Sequence, residues 1–92
     1  AVLGLARAAA LEAAPHGVRV NCLIPGFINT PLLDGVPADQ LPALAANVPQ
    51  GRLGTSEETA EVAAFLLSDS ASHVTGQSFA VDGGVLGTLA VR

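Results

Sequence analysis

The stretch Val18–Pro31, VRVNCLIPGFINTP, decides the fold. Val18 to Ile24 is mostly apolar and β-branched, which predicts a strand. Its apolar positions do not alternate with polar ones. A parallel strand covered on both faces is therefore expected. Pro25-Gly26 stops it, since proline lacks a donor and glycine opens turn conformations. Two readings of that stop compete. Most Pro-Gly pairs are plain turns. Yet ligands of open α/β sheets sit beyond the carboxyl ends of strands, where glycine lets a flat ring approach the backbone.

Upstream, Ala1 to Ala14 is rich in alanine and leucine and reads as a helix. Only Arg7 and Glu12 are charged there, so more than one face is expected to be covered. Pro15-His16-Gly17 ends it. The helical pattern starts at the first residue with no capping side chain before it. The expectation is a chain that begins in mid-helix, as a piece of a longer protein.

Downstream, residues 29–54 hold many prolines and glycines, with room for a short helix over Ala38 to Asn47. A connection this long suits a lid or binding loop. TSEETAEVAAFLLS then opens a second helix, with Thr55 and Glu58 at capping-box spacing and Glu57 and Glu58 in the first turn. Val62, Phe65 and Leu66 share one face of it. Asp69 to Gly76 reads as a polar connection, and Ser78 to Val81 as a second strand stopped by Asp82-Gly83-Gly84. Residues 85–92 read as a mildly apolar tail. Helix, strand, long loop, helix, strand is an α/β order, with two parallel neighbours joined by a crossover helix. Two parallel strands do not make a stable sheet alone, so further strands are expected from the missing part of the protein.

The totals narrow the function. Half of the 92 residues are apolar and 13% are charged, which suits a packed chain rather than a disordered one. The net charge is −4, with four arginines and no lysine, so nucleic acid and anionic membranes are not expected partners. The apolar runs are too short to span a bilayer, and no signal peptide is visible. One cysteine, Cys22, makes no internal disulfide, and a cytoplasmic setting is the default.

Most of the chemistry-bearing residues have bland explanations. Asn21 is expected to satisfy backbone groups beside its strand. Cys22 reads as a small apolar residue with no basic partner. His16 suits a helix C-terminus. His16 and His73 lack ligand-spaced carboxylates, so no metal site is expected. Glu57, Glu58 and Glu61 are explained by capping and a solvated face. Arg52 either pairs with a carboxylate or pins the long loop.

Taken together, four stretches resemble the C-terminal part of the short-chain dehydrogenase/reductase family. LARAAALEAAPHGVRVNCLIPG is similar to the family's catalytic helix, its turn and its sixth strand. PGFINT matches the Pro-Gly-x-x-x-Thr pattern. GRLGTSEETAEVAAFLLSD is similar to the end of the substrate loop and the following helix. HVTGQSFAVDGG is similar to the last strand, with its Thr-Gly-Gln and Asp-Gly-Gly markers. The resemblance covers nearly the whole chain, in order.

It implies that residues 1–92 are the C-terminal part of one Rossmann-type doubly wound parallel sheet that binds NAD or NADP. The complete protein would be an oxidoreductase passing hydride between nicotinamide and a carbonyl or alcohol substrate. Pro25, Gly26, Ile28 and Thr30 would bind cofactor. The backbone of Ile28 would pair with the carboxamide, and the Thr30 hydroxyl would meet the carboxamide or a phosphate oxygen. Residues 31–54 would form the substrate loop, with Leu32, Leu33, Val36, Leu41, Leu44 and Val48 lining an apolar wall or lid or, just as readily, packing on the parent core. The family's Gly-rich loop, catalytic serine and Tyr-x-x-x-Lys pair are not in this sequence, which has neither tyrosine nor lysine. No catalytic residue is therefore expected within these residues, and the chain alone is expected to be inactive. A homo-oligomer, dimer or tetramer, is implied for the complete protein. The first helix, the last strand and the helix beside it would supply its surfaces. The alternative is a non-catalytic truncated chain or a structural module that keeps only assembly surfaces.

Overall fold

The computed structural model describes residues 1–29 and 35–90. Helix α1 spans Val2–Ala13. It runs into a 3-10 turn, Ala14–His16, which opens with Pro15 and closes on Gly17 at φ 74°. That left-handed conformation is why a glycine stands there. Strand β1 covers Cys22–Pro25 and pairs in parallel with β2, Ser78–Val81, from Cys22↔Ser78 to Pro25↔Val81. Between them come a 3-10 turn at Ala38–Gln40, α2 at Leu41–Ala46 and α3 at Ser56–Leu67. The expected short helix and the second strand lie where the sequence put them.

The first strand starts later than expected. Val18–Asn21 is held by a mixture of side-chain and backbone bonds instead of a regular ladder. The Val20 N–H donates to Thr75 Oγ1 at 3.1 Å, and the Gly76 N–H donates to the Val20 carbonyl at 2.8 Å. Asn21 donates from Nδ2 to the Val74 carbonyl at 3.0 Å and accepts from the Gln77 N–H at 3.1 Å. Its expected role of satisfying backbone groups is what it does. The ladder begins at Cys22, whose N–H donates to the Gln77 carbonyl at 2.8 Å.

Arg19, which the sequence did not single out, closes the C-terminal end of α3. Its guanidinium donates to the carbonyls of Leu66 at 2.7 Å, Val74 at 3.3 Å and Ser68 at 3.3 Å. Those of Leu66 and Ser68 belong to the helix end, where carbonyls are left without intrahelical partners, and that of Val74 ties in the connection that follows. At the N-terminal end, the expected capping box is present. The Thr55 hydroxyl accepts from the Glu58 N–H, and the Glu58 carboxylate accepts from the Thr55 N–H.

Coverage falls short of what the sequence promised. Strand β1 is half-buried rather than covered on both faces. Only Ala10 of α1 is buried, while Val2, Leu5 and Leu11 are 69%, 72% and 78% exposed. Phe65, expected on the covered face of α3, is exposed, and Leu66 alone of that helix is buried. The described apolar core is Ala10, Val48, Leu66 and Ala71. The radius of gyration is 15.6 Å, against about 12 Å for a compact chain of this length. The tail is not unstructured: Val85–Ala90 forms α4. Asp82 starts it, accepting from the Gly84 N–H at 2.9 Å and the Leu86 N–H at 2.8 Å.

Candidate functional site

Both strands run in the same direction, so their carboxyl ends meet at one edge. A cavity of about 530 Å³ opens there, lined in part by Phe27 and Ile28 after β1 and by Val81 to Gly84 after β2. Gln50, Arg52, Gly54 and Glu58 complete much of its wall. The size falls in the range of small-molecule sites.

The loop after β1 is fixed by close contacts. The Gly26 N–H donates to the Val81 carbonyl at 3.0 Å. A Cβ on Gly26 would lie 2.6 Å from the Asp82 Cβ and 2.8 Å from its Cα. That adds a packing reason for this glycine. Its open side faces Asp82 rather than free space, so the glycine is needed to bring the β1 loop against the β2 turn. Pro25 pairs with Val81 at the last rung of the sheet. Bonding to β2 is made by Cys22 and Gly26, so a parallel ladder turns the Pro25 nitrogen to the other side. There the missing donor costs nothing.

Ile28 forms a parallel bridge with Gly54. The Gly54 N–H donates to the Phe27 carbonyl at 2.9 Å, and the Asn29 N–H donates to the Gly54 carbonyl at 2.9 Å. In this pattern the bridged residue turns its own N–H and C=O the other way. Among the described residues, neither backbone group of Ile28 has a partner. One donor and one acceptor thus stand side by side on an extended segment, the complement of a primary carboxamide. The Ile28 side chain rests on Gly54, where a Cβ would come 2.8 Å from Cδ1.

Beside this bridge stands a short ion pair. Arg52 grips Glu58 bidentately, with both N–H···O distances 2.8 Å. Arg52 also donates to the Leu53 carbonyl at 3.2 Å, and Glu58 accepts from the Thr55 N–H at 2.9 Å. The sequence left the partner of Arg52 open; it is Glu58. The Arg52 hydrogen bond, followed by the Thr55 N–H, lowers the Glu58 carboxyl from an ordinary 4.5 to about 2. The same hydrogen bond, with the attraction of the carboxylate, raises the Arg52 guanidinium.

The site residues expected from sequence are only partly brought together. Ile28 lines the cavity, whereas Pro25, Gly26 and Val36 do not; Pro25 and Gly26 are exposed beside it and Val36 is half-buried. Thr30, Leu32 and Leu33 lie outside the described residues. Val48 is buried, which favours core packing over a substrate wall, the two places the sequence left open for it. A Cβ on Gly83 would lie 2.5 Å from its Cγ1, which shows how closely the two pack. Gly83 at φ 65° and Gly84 at φ 101° combine positive φ with tight packing. The sequence did not anticipate Asp82 as a helix cap or Gly54 as the partner of Ile28. A lone aspartate before Gly-Gly was the available signal for the first. For the second there was only a glycine next to the capping box.

Among the described residues, no three His, Cys, Asp or Glu side chains gather as a metal site would need, and no helix is long and apolar enough to cross a membrane.

The family profile described as enoyl-(acyl carrier protein) reductase matches residues 1–86. The chain belongs to the short-chain dehydrogenase/reductase family. It is 52% identical over 83 residues to cis-4-hydroxycyclohexanecarboxylate dehydrogenase of Sinomonas cyclohexanicum, covering 90% of this chain and 33% of that protein. It is 42% identical over 84 residues to human (3R)-3-hydroxyacyl-CoA dehydrogenase, covering 91% of this chain and 32% of that protein. The crystal structure of YwfH, an NADPH-dependent reductase involved in bacilysin biosynthesis, superposes with a TM-score of 0.83 at 38% identity. That match covers 90% of this chain and 35% of YwfH. The parallel strand pair is accordingly part of a Rossmann-type sheet. The chain spans about one third of the length of the curated relatives it matches.

Proposed function

We propose that these residues are the C-terminal part of an NAD(P)-dependent oxidoreductase acting on a carbonyl or alcohol substrate. The order of the motifs, from PGFINT to VDGG, supports that placement. Within it, the loop after β1 holds the nicotinamide end of the cofactor. The observation that carries the reading is the N–H and C=O of Ile28, which have no partner among the described residues and are set side by side next to a cavity at the strand ends. They suit the carboxamide, whose C=O would accept from the Ile28 N–H and whose NH₂ would donate to the Ile28 carbonyl. Thr30 adds a hydroxyl to the same group or to a phosphate oxygen. Gly26 and Pro25 set the path of the loop, and the leucines at 32 and 33 with Val36 border the substrate. A bound nicotinamide would supply or accept the hydride; this chain binds and orients it. The general acid/base lies outside these residues, since they include neither tyrosine nor lysine.

The names of the relatives support dehydrogenase chemistry on small molecules, and the name of YwfH supports a nicotinamide cofactor. The choice between NAD and NADP is left to regions beyond this chain. A cytoplasmic homo-oligomer is the proposed setting, with the uncovered apolar residues of α1 available for burial.

Fluorescence titration of the complete protein with NADH and NADPH tests the reading. Saturable binding of one of them, lost or weakened by changes at Thr30, is the expected result. Absence of binding to either would refute it. The second reading, an assembly module without catalysis, draws on the same exposed α1 residues. It predicts an oligomer of the complete protein that turns over no alcohol or ketone with either cofactor.

A further inference from the structure

We infer that Arg52 and Glu58 are positioning residues for the nicotinamide-side loop, acting through Gly54; the inference rests on the reading of Ile28 given above. Gly54 is the only bridge partner of Ile28 among the described residues. It sits between two anchors. On one side Arg52 grips Glu58 through both carboxylate oxygens and donates to the Leu53 carbonyl. On the other, Thr55 is closed onto the same carboxylate by the capping box. The Glu58 carboxylate therefore holds the chain before and after Gly54 at once. It is itself carried by α3, which packs on β2.

Gly54 passes that rigidity to the loop by two backbone hydrogen bonds, to Phe27 and from Asn29, with Ile28 between them. Losing the ion pair leaves Gly54 attached to α3 on one side only. The Ile28 N–H and C=O then lose part of their fixed direction. A direct role in gripping an anionic ligand is disfavoured. Arg52 already spends a bidentate pair on Glu58, and the charges cancel. The pair is half-exposed, with side-chain exposures of 52% and 42%, which by itself argues for a small effect on global stability.

The test separates the nicotinamide end from the rest of the dinucleotide. In the complete protein, Arg52→Ala and Glu58→Gln are titrated with NADH or NADPH, whichever binds, and with the matching ADP-ribose, which lacks nicotinamide. Both variants should raise the dissociation constant for the reduced cofactor about fivefold. That for ADP-ribose should stay within about twofold of the parent protein's. Arg52→Lys keeps the charge but not the fork and should fall between parent and alanine variant; it also serves if Arg52→Ala does not fold. Equal losses for both ligands, or no loss for either, would overturn the inference while leaving the Ile28 reading intact. A parent protein that binds ADP-ribose as tightly as the nicotinamide cofactor would overturn that reading, and this inference with it.

Discussion

Gly26 shows how a residue can be marked correctly while one of its reasons stays hidden. Pro25-Gly26 is legible as a stop at a strand end, and the stop is there. The sequence cannot show that the hydrogen facing outward from Gly26 meets Asp82, because that contact joins segments far apart in the chain. Gly26→Ala should therefore destabilise the protein by about 1–3 kcal/mol through overpacking. Thermal unfolding checks this; an unchanged midpoint would return the glycine to a purely ligand-facing role. Thr30→Ala should weaken cofactor binding by about 1 kcal/mol, a several-fold rise in dissociation constant, as expected for one neutral hydrogen bond. An unchanged constant would remove Thr30 from the site.

At the scale of elements, helix α3 carries the clearest prediction. Its start was legible because a capping box is local: Thr55 and Glu58 lie one turn apart and need nothing else. Its end was not, because Arg19 reaches it from 47 residues away. The short start of β1 has a similar cause, since Asn21 and Thr75 replace ladder bonds with side-chain ones. Thr55→Ala should cost about 1 kcal/mol of stability. Glu58 also gives α3 a dependence on acid. Its folded-state carboxyl titrates at about 2, below its ordinary 4.5. The stabilisation it brings is thus complete above about pH 4.5 and is lost as pH falls towards 2. Thermal midpoints of the parent and Glu58→Gln should differ most at neutral pH and converge across that window. Added salt should narrow the difference, since the pair is half-exposed. A gap independent of pH would mean the carboxylate charge is not what matters.

At the scale of the molecule, the α/β order and the parallel pairing were legible because each element has its own local pattern. Burial was not. The sequence read α1 and β1 as covered; among the described residues α1 is largely open and β1 is half-buried. Apolar patterning records what a surface is built to meet, and no partner surface for these residues lies among the described ones. Four buried apolar residues among the described ones, with a radius of gyration of 15.6 Å, are little to hold a fold together. These 92 residues alone should accordingly show no dehydrogenase activity and little affinity for NADH. They also lack the Gly-rich loop that anchors a dinucleotide's phosphates. Micromolar NADH binding by the isolated chain would contradict this.

The central claim is that the backbone of Ile28 receives the nicotinamide carboxamide. Its amide proton reports this directly. With the complete protein labelled with ¹⁵N, titration with the reduced cofactor should shift the Ile28 amide strongly downfield as its N–H gains an acceptor, while the matching ADP-ribose should leave it in place. A cofactor that saturates the protein without moving the Ile28 amide would contradict the account.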